Sequence, residues 1–125
     1  GRYSDAWHVD HMKHPQSVVP QSIMPKYAFM MHTKIGPERI NDLLATHRLV
    51  GVPYGDDHIE NAEADFLSQA NPDADSDGLM ARYPGAAVSN FDGQVELTEM
   101  DAMIAYLQVL GTMVDFSTFT PDENR

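Results

Sequence analysis

Between residues 15 and 36 the chain carries Pro15, Pro20, Pro25 and Gly36. No long helix survives that spacing, because each proline removes a backbone donor and biases its predecessor toward extended geometry. A central strand is excluded as well, since proline cannot donate to a ladder. The stretch is therefore expected to be a long irregular loop. Its apolar residues, among them Val18, Val19, Ile23, Met24, Tyr27 and Phe29, require it to pack on something.

The flanking segments read as helices. Ser4 is a suitable N-cap with Asp5 in the first turn, so Ala6 to Lys13 is expected to be helical and to stop before Pro15, with Trp7 packing inward. Gly36-Pro37-Glu38 starts a second helix, whose stripe is Ile40, Leu43, Leu44 and His47 and whose end is Gly51 and Pro53. A third, capped by Asp56 or Asp57, carries Ile59, Ala62, Phe66 and Leu67 and ends at Pro72. The last begins at Thr98, with Asp101 as a short version of a capping-box acid, and repeats Met100, Met103, Ile104, Leu107 and Leu110 at helical spacing up to Gly111. Residues 71–96 read as a polar surface excursion in which Leu79 to Tyr83 forms a helical turn, and residues 115–125 as a frayed tail. The expectation is one all-α domain over 1–125 with about four helices and long loops.

Hydrophobic residues make up 42% of the 125, which is enough for a modest core. A net charge of −11 argues against nucleic acid and for partners with basic surface. No run approaches the roughly 18 apolar residues of a membrane span. No cysteine is present, so neither disulfides nor thiolate sites exist in this sequence. No nucleophile with a matching base and no glycine-rich phosphate loop stands out, and independent catalysis is not expected.

Several residues carry candidate chemistry. Met24 lies between Pro20 and Pro25 in Pro20-Gln21-Ser22-Ile23-Met24-Pro25-Lys26-Tyr27, where a thioether is either a soft metal ligand or a core filler. Met30 and Met31 are weaker candidates because no proline follows either. His8, His11 and His14 are spaced three apart, so His11 and His14 form half of a zinc site that lacks its further ligands. Asp73, Asp75 and Asp77 before Gly78 imitate the start of a calcium loop, but Pro84 stands where the bidentate Glu belongs.

Taken together, several runs resemble the mono-haem cytochrome c subunit (subunit II) of cbb3-type cytochrome oxidases. They are Gly1-Arg2-Tyr3-Ser4-Asp5 with Trp7-His8, Val18-Val19-Pro20 leading to Ser22-Ile23-Met24-Pro25-Lys26-Tyr27, Val50-Gly51-Val52-Pro53-Tyr54, and Thr98 to Thr112. The resemblance implies the later part of a cytochrome c-like domain in a membrane-anchored electron carrier on the periplasmic side of the bacterial inner membrane. It implies Met24 as distal ligand of a c-type haem, with Pro25, Tyr27, Trp7 and Arg2 around the cofactor. It implies the catalytic and other oxidase subunits as partners and a cytochrome as electron donor. Haem attachment through Cys-x-x-Cys-His and an N-terminal anchor are expected ahead of Gly1, so these residues alone are expected to be haem-free and to dimerise through the apolar loop. The alternatives are a haem-free acidic helical interaction module and a weak calcium-binding domain.

Overall fold

The computed structural model describes residues 3–110. Arg2, Gly111 and the tail at 115–125 lie outside the described residues.

The described residues are all-helical, without a strand. The first helix, α1 (Asp5–Lys13), is capped as expected, Ser4 Oγ accepting from the Trp7 N–H at 3.2 Å. Proline at the first position then starts a short helix that the sequence did not suggest, α2 (Pro15–Val18), and Ser17 Oγ donates to the His14 carbonyl at 2.7 Å across the junction. The breaker-rich stretch is thus not irregular throughout, since Ala28–Met31 also closes a 3-10 turn.

The second expected helix begins with a 3-10 turn at Pro37–Arg39 and continues as α3 (Ile40–Leu49). Gly51 follows at φ +100°, a left-handed geometry that suits glycine. The third is divided at Asn61 into α4 (Asp56–Glu60) and α5 (Ala62–Gln69). Neither Asp56 nor Asp57 caps α4; the cap is Gly55, whose N–H is taken by His58 Nδ1 at 3.2 Å. The helical turn after Gly78 extends to α6 (Asp77–Arg82), and the last helix is α7 (Glu99–Val109). The Asp101 carboxylate accepts from both the Thr98 N–H, at 2.8 Å, and its hydroxyl, at 2.7 Å. None of these helices is long and apolar enough to cross a membrane.

The core lies where α1, α7 and the loop meet. Met12, Met100 and Ile104 are its buried centre, with Met24, Met30, Met31 and Met103 packed around it. Short backbone links hold the loop in place. The Tyr27 N–H donates to the Met12 carbonyl at 2.8 Å, Ile35 donates to Leu97 at 2.9 Å, and Glu99 donates to Thr33 at 2.8 Å. The far end of α7 is tied back to α1 by Gln108 Nε2, which donates to Asp5 Oδ1 at 2.6 Å. Residues 71–96 contribute the buried Leu79 to the packing around α5 and α6.

Candidate functional site

Met24 is half-buried at the edge of the methionine-lined core. Its N–H donates to Ser22 Oγ at 3.2 Å, a local turn that fixes the backbone just before Pro25. Its sequence neighbours point the other way in character. Ile23 is 100% exposed, Val19 44% and Phe29 58%. A partly covered thioether thus lies on a loop whose other apolar residues face water. Six of the eight methionines share this one cluster, on α1, the loop, the 3-10 turn and α7. Thioethers are soft and flexible enough to fill such an irregular centre.

The other expected site residues divide between two places. Tyr27 packs on the same core beside Met24, with its ring 6.1 Å from that of Phe29. Pro25 is exposed. Trp7 is half-buried rather than in the core: its ring stacks on Tyr3 at 4.1 Å and on His11 at 4.8 Å, so residues four apart form a ring column along α1.

The alternative sites are not assembled. Among the described residues no three His, Asp or Glu side chains are grouped to hold a metal ion. His14 ends α1 instead of joining His11 on a face. Two acids of the calcium-like segment have local structural roles: Asp75 Oδ1 accepts from the Asp77 N–H at 3.0 Å, and Asp77 opens α6.

The sequence reading missed a polar network on the opposite group of helices. Asp65 lies on α5 between Ala62 and Phe66 and is buried. Arg82, from the end of α6, meets it through Nε at 2.7 Å and Nη2 at 2.5 Å, a bidentate pair. Donation to the Asp65 carboxylate makes the Arg82 guanidinium hold its proton more tightly than usual, and desolvation partly opposes this. Burial raises the neighbouring Tyr83 phenol above its ordinary value. His58 Nε2 lies 3.3 Å from the Arg82 carbonyl, and the rings of Tyr54 and Tyr83 flank that imidazole. One signal was available: no lysine or arginine occurs from Leu49 to Ala81, so an acid on the apolar stripe of α5 had to find its cation beyond that span.

A cleft of about 300 Å³ between α5, α7 and residues 89–97 is lined by Phe66, Phe91, Leu97, Ala105 and Tyr106 and does not include Met24. Met24 itself is half-buried on the edge of the core, outside this cleft.

A single thioether on a braced loop is a soft donor of the kind that would help to hold a haem iron. It does not provide covalent attachment, because the sequence has no thiol. In comparison with known families, residues 1–114 match the one described as "Cytochrome C oxidase, mono-heme subunit/FixO". No protein of curated function matches the chain.

Proposed function

Because this chain belongs to the family of mono-haem subunits of cbb3-type cytochrome c oxidases, we propose that Met24 is the distal ligand to the haem iron of an electron-transfer subunit. Haem, when bound, supplies reversible one-electron chemistry, and a methionine ligand raises its potential. The observation that carries the reading is the half-buried Met24 thioether amid exposed Val19, Ile23 and Phe29. An apolar rim of this kind suits the edge of a flat, hydrophobic group.

The chain's own residues have three tasks in this account. Pro20, Pro25 and the Ser22 hydroxyl hold the Met24 backbone, which limits the entropy lost on ligation. The Tyr27 N–H, fixed on the Met12 carbonyl, anchors the loop to α1. Ile23, Val19 and Phe29 exclude water from the sulfur once they are covered. Trp7 and Tyr3 stand along α1 as a second aromatic wall, and Arg2 is assigned to a propionate on the strength of guanidinium–carboxylate geometry. Under this reading the subunit works on the periplasmic side of the inner membrane and receives electrons from a basic cytochrome drawn to its acidic exterior.

The competing role, a core methionine, is favoured by the packing of Met24 against the cluster centred on Met12, Met100 and Ile104. Met24→Leu in the haem-bearing full-length protein separates the two. Leucine keeps the volume at a cost of less than about 1.5 kcal/mol. A ligand role predicts a shifted haem spectrum and a lowered reduction potential, whereas a packing role predicts a small stability change with the spectrum intact.

A further inference from the structure

We propose that the C-terminal end of α3, together with the acidic edge of α4 and α5 beside it, is a docking face for another subunit of the oxidase, one that presents an apolar hollow rimmed by lysine or arginine. Leu49 is 86% exposed, Val50 76% and Val52 36%, three large apolar side chains within four positions. Single exposed apolar residues are ordinary, but a contiguous group marks an interaction surface.

The backbone builds this knuckle. Gly51 at φ +100° reverses the chain, and the Val52 N–H returns to the His47 carbonyl at 3.0 Å. A Cβ on Gly51 would meet nothing within 4 Å, so the turn stands clear of the rest of the molecule.

Charge identifies the partner. Asp56, Asp57, Glu60 and Glu63 follow directly and are exposed. The flanking cations are already engaged, Arg48 with Asp56 at 2.6 Å and Arg82 with Asp65. Among the described residues no cation pairs with Glu60 or Glu63. The complement is therefore a basic rim around an apolar centre. Near-complete exposure of Leu49 and Val50 favours a lasting contact over a passing one, since permanent interfaces are the more hydrophobic class. The family already makes this chain one subunit among several.

This assignment rests on family membership and not on Met24, so a Met24→Leu protein with unaltered redox behaviour leaves it standing. The test uses the assembled oxidase containing the full-length chain, with a photo-crosslinking amino acid at Val50 and, as a control, at the exposed Asp92. The expected result is an adduct between position 50 and a different oxidase subunit, at least about tenfold more abundant than from position 92. Glu60→Lys with Glu63→Lys is expected to release that subunit at lower salt than the parent protein does. Adducts only with a second copy or with a soluble electron donor, or no adduct, overturn the assignment. Unchanged salt resistance in the charge-reversed protein contradicts the basic rim.

Discussion

The two groups of helices are held together by different physics. Around α1 and α7 the centre is apolar and rich in sulfur: Met12, Met100 and Ile104 are buried, and four more methionines pack against them. Around α5 and α6 the centre is a charged pair, Asp65 with Arg82, supported by Leu79 and the rings that flank His58. Methionine side chains adapt to whatever lies beside them, which suits a surface that accepts a cofactor edge. A bidentate ion pair accepts one geometry, which suits a scaffold. The proposed haem contact lies on the adaptable side, and the proposed subunit contact lies on the specified side.

Mutations that remove each centre sharpen this contrast. The largest loss is expected from Met100→Ala, about 3 kcal/mol in urea unfolding, because Met100 is fully buried and its deletion leaves a cavity. Met100→Leu is expected to keep most of that stability. Asp65→Ala comes next. It leaves the guanidinium without its partner, yet Arg82 retains 20% of its side chain in water, so the loss is smaller than for Met100→Ala. If the pair specifies geometry more than it stabilises, Asp65→Leu combined with Arg82→Met recovers most of the loss. A double variant as unstable as the single one would break the comparison.

Two smaller effects lie at the edges of the two groups. Asp101→Ala is expected to cost about 1 kcal/mol, since its carboxylate takes both the N–H and the hydroxyl of Thr98 at the start of α7. Tyr83 gives a pH signature. Burial raises its pKa, so the folded chain holds the phenol proton more tightly than the unfolded chain does. That contribution is complete below about pH 10 and disappears as the pH climbs through the raised value. Stability measured against pH should therefore fall less steeply on the alkaline side in Tyr83→Phe than in the parent protein.

The apolar group was largely legible in the sequence, and the polar group was not. Met100, Ile104 and Met103 repeat at helical spacing, and Ser4 and Thr98 are recognisable helix starts, so α1 and α7 follow from local rules. Asp65 follows from no local rule. An acid is buried only when a partner arrives, and the partner is 17 positions away on another helix. The same limit explains Leu67, which was expected on the apolar face of its helix and is 47% exposed. Within α5 the buried positions are Ala62 and Asp65, so the covered face turns away from Leu67 toward the charged pair. Met24 was legible as a ligand candidate from its prolines and its family, whereas its seat against other methionines emerged only from the packed core.

The reduction potential of the subunit with haem bound, measured with Met24 and with leucine in its place, tests the central claim most directly. The account predicts a lower potential and an altered ferric spectrum in the leucine protein, because a soft sulfur ligand is lost. An unchanged potential with an unchanged spectrum would mean that the iron takes its distal ligand elsewhere, and that Met24 serves only the core.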